Sequence, residues 1–437
     1  MTAPGGSARS GGAAGDDRPL LLLISTGGRN YREYLMRSVG SRYRVHLFIG
    51  AEPGWEVGYL DGWTVMHGMA DTISADEMCA AAQRLAARET ISGVLCWDEA
   101  RILQSAKVAA SLGLPGGDPD MVMRCRDKYQ TRTALDAAGT PQPRSVLVAG
   151  LDAALSAADQ IGYPVVLKPR AMGGSLGVVR ADGPDQLSQR FPVARDTAVP
   201  GSWRYDVGVL VEQCLTGPEI SVDAAVFHGE VLPMFLARKQ VGYPPYFEEL
   251  GHVVDAGDSL LADADVLRVL RSAHSALGFT DGMTHTELKL TPEGPMIIEV
   301  NARLGGDLIP YLGMRATGMD PGLAAAAVAC GQRPELTSDR HLVGAVRFFY
   351  VAQDDTTIGE IRFEPAPMPS AADRAIVLAK PGDVKSPPPK GTMSGRIALA
   401  TAVGPTAVEC MQAIDAMSDA LTVRPANQAA AGQGGPS

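Results

Sequence analysis

The 437 residues leave room for roughly two to four packed units, and a content of 46% hydrophobic and 20% charged side chains is that of an ordinary globular chain. A formal net charge of −10 excludes the broad positive face that general nucleic-acid binding needs. Six scattered cysteines, with no C-x-x-C pair, exclude a structural zinc cluster and a disulfide framework; free thiols match a reducing cytoplasm.

Residues 1–17 and 425–437 are small and polar and read as disordered tails. Between them strand and helix signals alternate. The apolar run 20–25 predicts a buried strand, and Leu20 to Ile24 is too short for a membrane span or a signal-peptide core. A Thr-Gly-Gly turn and a helical stretch from Tyr31 to Val39 follow. Further strands are expected at 43–49 and 93–97, and helices at 76–89 and 100–113. This rhythm predicts a parallel sheet with helices on its faces. No G-x-G-x-x-G follows the first strand, so a dinucleotide fingerprint is absent. Asp98 and Glu99 follow a strand end, where their expected role is helix capping. A second unit opens near 126–145, with Asp127 as N-cap and Gly139 and Pro141 as the stop. A glycine-rich loop, a helix near 182–191 and a strand at 207–215 come next. From there to about 303 the pattern reads mostly as strands, with 245–257 irregular. A helix from about Pro310, a strand in 341–352, mixed β structure and a helix at 406–421 complete the chain.

The stretch GYPVVLKPRAMGGSLGVVR (162–180) ends an apolar strand in Lys168 and runs into a loop holding Gly173, Gly174 and Ser175. Glycine permits close backbone approach, and consecutive amides form a nest for anions. It is not a Walker A loop, because no Lys-Ser or Lys-Thr pair follows the glycines. A lysine on a rigid strand beside a mobile loop suits a di- or triphosphate. A glycine-rich hairpin with a solvated lysine fits the local pattern equally well. Lys128 lies in a helix's first turn, where a cation opposes the dipole unless an anion or solvent offsets it. Glu212 could accept from an exocyclic amine, Cys214 and Leu215 offer backbone groups, and Glu219 could accept from ribose hydroxyls. Exposed strand-end acids are the plainer reading of both carboxylates.

HTELKLTPEGPMIIEVNARLGGD (285–307) predicts a hairpin turning through Pro292, Glu293 and Gly294. That three-residue loop pairs Thr291 with Pro295. It sets Glu287 opposite Glu299 and His285 opposite Asn301, all on one face. Like charges directly opposite one another, with Cβ atoms about 5 Å apart, are destabilising; a divalent cation reverses that sign. Two carboxylates and an amide oxygen are hard ligands suited to Mg2+ or Mn2+ shared with ATP phosphates. A two-residue turn would shift the register and break the pairing. Arg303 continues the alternation ahead of a Leu-Gly-Gly-Asp turn and could grip a carboxylate or a developing oxyanion. Glu249 and His252 fall in the irregular stretch, where surface exposure is the plain reading.

In this order the pieces resemble the ATP-grasp superfamily over about residues 18–424. Within it they look most like the L-amino acid ligases, through PYFEELGH, EVNARLGGDLIPYL and GAVRFFYV. The resemblance implies an α/β and α+β fold: an N-terminal parallel-sheet domain (18–124), a small lobe or lid (125–206), a large lobe with a metal hairpin (207–330) and a C-terminal mixed β/α subdomain (331–424). It implies ATP held by Lys128, Lys168, Gly173, Gly174, Ser175, Glu212, Cys214, Leu215 and Glu219. It implies two Mg2+ or Mn2+ ions on Glu287, Glu299 and Asn301. Glu249, His252, Arg303, Gly305 and Gly306 would line an amino-acid site, with Arg303 and Lys168 catalytic and the Gly305 and Gly306 amides near the oxyanion. The implied reaction activates a carboxylate as an acyl phosphate and joins it to an amino acid or peptide amine. The expected partners are amino acids or short peptides, without nucleic acid or membrane, in a cytoplasmic protein that could be a homodimer. The rival readings are a biotin carboxylase-like enzyme and a nucleotide-binding regulator without turnover.

Overall fold

The computed structural model describes residues 16–68, 74–197 and 208–426; nearly all of both expected tails lies outside these residues. The chain opens with β1 (Leu20–Ile24), α1 (Arg29–Arg42), β2 (Arg44–Ile49), β3 (Gly62–Val65), α2 (Ala75–Ala86), β4 (Ile91–Leu95), α3 (Ile102–Ser111) and α4 (Pro119–Arg126). The sheet is parallel in the order β3-β2-β1-β4, as the alternation predicts. All five β1 side chains are buried, which is why that strand is apolar throughout rather than alternating. The sequence reading missed β3, whose four residues, one buried and three half-buried, are too few to show a period.

The small lobe holds α5 (Lys128–Ala137), β5 (Ser145–Val148), α6 (Leu151–Ile161), β6 (Val165–Pro169), β7 (Val179–Ala181), α7 (Pro184–Asp196) and β8 (Val209–Gln213). Asp127 caps α5 by accepting from the Tyr129 amide, as expected. The strands run antiparallel in the order β5-β8-β6-β7. Val165 and Leu167 of β6 pack with Phe191, Ala154 and Ala158. The period of two therefore turns Val166 and Lys168 toward the opposite face, where both line a cleft.

The large lobe is built on β9 (Glu219–Phe227), β10 (Glu230–Gly242), β11 (Glu248–Asp255), α8 (Ala264–Leu277), β12 (Gly282–Thr291), β13 (Gly294–Asn301), α9 (Ile309–Thr317) and α10 (Pro321–Ala329). β14 (Val343–Phe349), β15 (Thr356–Phe363), β16 (Ala372–Val377), β17 (Val384–Lys385), β18 (Ala398–Gly404), α11 (Ala407–Asp419) and β19 (Leu421–Pro425) follow. One eight-stranded sheet runs β13-β12-β9-β10-β11-β14-β18-β16, so the C-terminal segment extends the large lobe's own sheet. Two expectations are corrected. Residues 248–255 form strand β11, paired on both sides, rather than an irregular stretch. A 14-residue helix, α8, interrupts the supposed run of strands; its Asp263 cap and left-handed Gly278 are signals the sequence carries. On β9, Ile220, Val222, Ala224 and Val226 pack with α8 residues. The alternate positions, Glu219 and Asp223, are thereby turned to the other face of the sheet.

The β12–β13 hairpin also departs from expectation. Its loop has two residues, Pro292 and Glu293, because Thr291 pairs with Gly294. That turn would have displaced the acidic pair, but a bulge at Ile298 adds one residue to β13. Glu287 is returned opposite Glu299 and His285 opposite Asn301. The predicted pairing thus stands on a different turn from the predicted one.

Candidate active site

The cleft between the lobes is lined by Lys128, Lys168, Gly173, Ser175, Glu212, Cys214, Leu215, Glu219, Glu287 and Glu299, with Lys289 added. Gly174 lines an adjoining cavity instead. Lys128 ties three elements together: from the start of α5 its Nζ donates to the Met172 carbonyl of the lid at 2.6 Å and to Glu299 Oε1 of β13 at 2.7 Å. Lys168 pairs with Glu212 at 2.8 Å. Glu212 is not an exposed strand-end acid: it lies inside β8, 1% exposed, and also takes Arg132 at 2.6 Å. Burial alone would raise this carboxyl, but the Arg132 and Lys168 charges outweigh it and hold it well below the usual carboxylate range. The Cys214 amide already donates to the Pro164 carbonyl. The lid backbone is left-handed at Gly174 (φ 63°), where a Cβ would meet Met393 Cε at 2.8 Å.

The polar face of the large sheet carries a charge cluster whose centre the sequence reading missed. Lys239 of β10, with its side chain 2% exposed, reaches Glu249 at 2.6 Å, Glu219 at 2.9 Å and Glu287 at 3.0 Å. Burial disfavours the ammonium, yet the three carboxylates reverse that and raise it well above its ordinary value. Nothing in the local sequence around Lys239 signals this, because its partners come from β9, β11 and β12. Beside it, His285 Nδ1 lies 2.5 Å from Asp223 Oδ1, and Nε2 lies 3.5 Å from Glu287. Burial lowers the imidazole, but Asp223 more than compensates, and the group is pushed up to about 9.

A second cavity of about 420 Å³ adjoins the cleft. Met172, Gly173, Leu176 and Glu287 line both. Its lining includes Arg32, Glu99, Arg126 and Arg303 together with Glu248, Glu249, Asp307 and Arg396. Glu99 is not a helix cap: Arg101 occupies that position of α3, and Glu99 pairs with Arg126 at 3.0 Å and with Arg303. Its place past the end of β4, in an open parallel sheet, was the available signal. Arg396 forms a two-bond pair with Asp307, 2.7 Å for each bond, and stacks over Phe348.

The expected amino-acid site is brought together only in part. Glu249, Arg303 and Gly306 line the cavity. His252 is fully buried behind it, 3.4 Å from Glu249 and 3.6 Å from Asp307, with neither ring nitrogen hydrogen-bonded. Burial works against its charge, but those two carboxylates raise it overall. The Gly305 amide donates inward to Asp223 Oδ2 at 2.8 Å, so it is committed and does not point to an oxyanion. Asn301 is buried at the end of β13 and lines neither cavity.

Glu287 and Glu299 fit a divalent cation: hard oxygen donors, opposite one another, on one cavity wall, and offset by ammonium groups. A tighter triad, Glu249, His252 and Asp307, has its donor atoms within 4.8 Å of one another. Its carboxylates are already matched by Lys239 and Arg396.

Residues 161–311 match the model of an ATP-grasp domain. The chain is 30% identical to carnosine synthase 1 of Homo sapiens over 57% of its own length and 32% of that protein. It is 26% identical to alanine–anticapsin ligase of Bacillus subtilis (strain 168) over 56% of its length and 58% of that protein. These matches therefore span less than two thirds of either relative. The structure superimposes on an L-amino acid ligase from Bacillus licheniformis with a TM-score of 0.73 at 22% identity, covering 93% of this chain and 99% of that one. At that identity the likeness establishes the fold.

Proposed function

Because the chain belongs to the ATP-grasp superfamily, we propose that it is an ATP-dependent carboxylate–amine ligase joining an amino acid to the amine of a second amino acid or a peptide. The observation that carries this reading is the junction of the two cavities at Glu287 and the lid. A phosphoryl donor in one and a carboxylate in the other would meet there. The relatives named as a synthase and a ligase support the same reaction class.

In the first step a carboxylate oxygen attacks the γ-phosphorus, the bond to the β,γ-bridging oxygen breaks, and ADP leaves. In the second a neutral amine attacks the acyl carbon, the bond to the phosphate oxygen breaks, and the amine loses a proton. Lys128 and Lys168 bind and orient the phosphates. Arg303 faces the carbonyl oxygen as it gains charge. Glu249 accepts from an ammonium or amine in the second cavity. The lid excludes water that would hydrolyse the acyl phosphate. Glu287 and Glu299 would hold Mg2+ or Mn2+, which supplies charge neutralisation at the phosphate oxygens when bound. No protein nucleophile is needed. All six cysteines are free, in keeping with a reducing compartment.

The test is ADP release over pairs of amino acids and short peptides, with mass spectrometry of the products. The expected result is ADP that depends on the amine, and a product weighing the two substrates less one water. ADP released only with bicarbonate and biotin, or ATP binding without any product, overturns the reading.

A further inference from the structure

The Thr-Gly-Gly turn after β1 and the start of α1 border the second cavity through Gly27 and Arg32. Arg32 Nη1 donates to the Gly305 carbonyl at 3.2 Å. Among the described residues no carboxylate forms an ion pair with Arg32. Of the carboxylates nearby, Asp98, Glu99 and Asp223 are all engaged, Asp223 with His285 and the Gly305 amide. Asp98 accepts from the Ser25 hydroxyl at 2.8 Å and the Ala100 amide at 3.0 Å. Glu99 is divided between Arg126 and Arg303. α1 adds to the positive potential: it starts at a Gly28 cap with no side-chain hydrogen bond and no acidic residue in its first turn. Burial pulls the Arg32 guanidinium below its ordinary value; the Tyr34 hydroxyl and the Asp223 carboxylate offset this in part, and the Arg303 charge adds to it. An anion arriving here relieves that cost.

We propose that Arg32 forms a subsite for the carboxylate that the reaction does not consume. This rests on the ligase reading. An amino acid used as the amine brings its own carboxylate, which must be bound yet kept from the γ-phosphate. A planar two-donor fork matches a carboxylate better than a point charge does. The same chemistry describes the α-carboxylate of the amine substrate and the side-chain carboxylate of an acidic amino acid, and the test separates them.

The measurement is discrimination between acid and amide, by kcat/KM and by thermal stabilisation of the full chain with a panel of ligands. The panel holds free amino acids, their α-carboxamides, and aspartate and glutamate against asparagine and glutamine. The wild-type protein is expected to favour acids. Arg32→Gln should lower that preference about 10- to 100-fold, the loss expected for hydrogen bonds between charged groups. Arg32→Lys, which keeps the charge but not the fork, should lower it less, and it carries the comparison if Arg32→Gln does not fold. A loss confined to the α-carboxamide pairs assigns the subsite to the amine substrate's own carboxylate. A loss confined to the side-chain pairs assigns it to an acidic side chain. A wild-type protein that binds acid and amide alike, or a variant that weakens both equally, overturns the proposal. Absent ADP release with a persisting acid preference in binding overturns the ligase reading and leaves the subsite standing.

Discussion

Among the described residues the cleft under the lid is lined by lysines, Lys128, Lys168 and Lys289, and the adjoining cavity by arginines, Arg32, Arg126, Arg303 and Arg396; neither takes the other's cation. The division follows the shapes to be held. A lysine is a point charge on a flexible stem, able to follow a tetrahedral phosphate through transfer and lid motion. An arginine is a rigid planar fork that fixes the direction of a planar carboxylate. The pairs already present show the contrast: Lys128 makes one bond to Glu299, whereas Arg396 makes two to Asp307.

The largest loss is expected in the cleft under the lid. Glu299→Ala and Lys168→Ala should each cut amine-dependent ADP formation on the order of 10³-fold, Glu299→Ala with little change in the unfolding midpoint. Chelation with EDTA should do the same, with recovery on adding Mg2+ or Mn2+. Unchanged turnover in either variant would falsify the assignment. Lys239→Met comes next, since it leaves Glu219, Glu249 and Glu287 without their shared counter-charge. Urea unfolding should show a loss of about 3–5 kcal/mol; a loss below about 1 kcal/mol would mean the carboxylates are solvated or protonated instead.

Arg303→Lys tests the fork directly. It should cost about 10- to 100-fold in kcat/KM for the amino acids and leave the KM for ATP nearly unchanged. Equal effects on both substrates would erase the distinction between the cavities. A smaller effect is expected from pH. His285 has a folded value of about 9, above its ordinary 6.5. Its stabilisation is therefore complete below pH 6.5 and is lost as pH rises through about 9. The unfolding midpoint of metal-free protein should fall across that window, and Asp223→Asn should flatten the slope. The smallest change is Gly174→Ala, at φ 63° against Met393. It should raise the KM for the amino acids a few-fold, for a backbone cost of about 1 kcal/mol, and Met393→Ala should recover part of it.

What was legible in the sequence follows how local each feature is. The parallel sheet, the Lys168 strand and the Asp127 cap depend on neighbours a few residues away, and they read correctly. The acidic pair on the hairpin read correctly through two departures that cancel, a shorter turn and the bulge at Ile298. Lys239, Glu99 and Arg32 were missed because their partners lie on other elements. Glu99, for example, acquires its role from Arg126 and from Arg303, 204 positions later in the chain. His252 and Gly305 were placed on the cavity by resemblance, but packing turns one behind the wall and commits the amide of the other to Asp223.

Met172, Gly173 and Leu176 belong to both walls. A single roof over two chambers cannot be lifted for one occupant alone. In a ligase, spent nucleotide and joined product would then depart through the same opening event, and the activated acyl group would stay indoors until its amine had arrived.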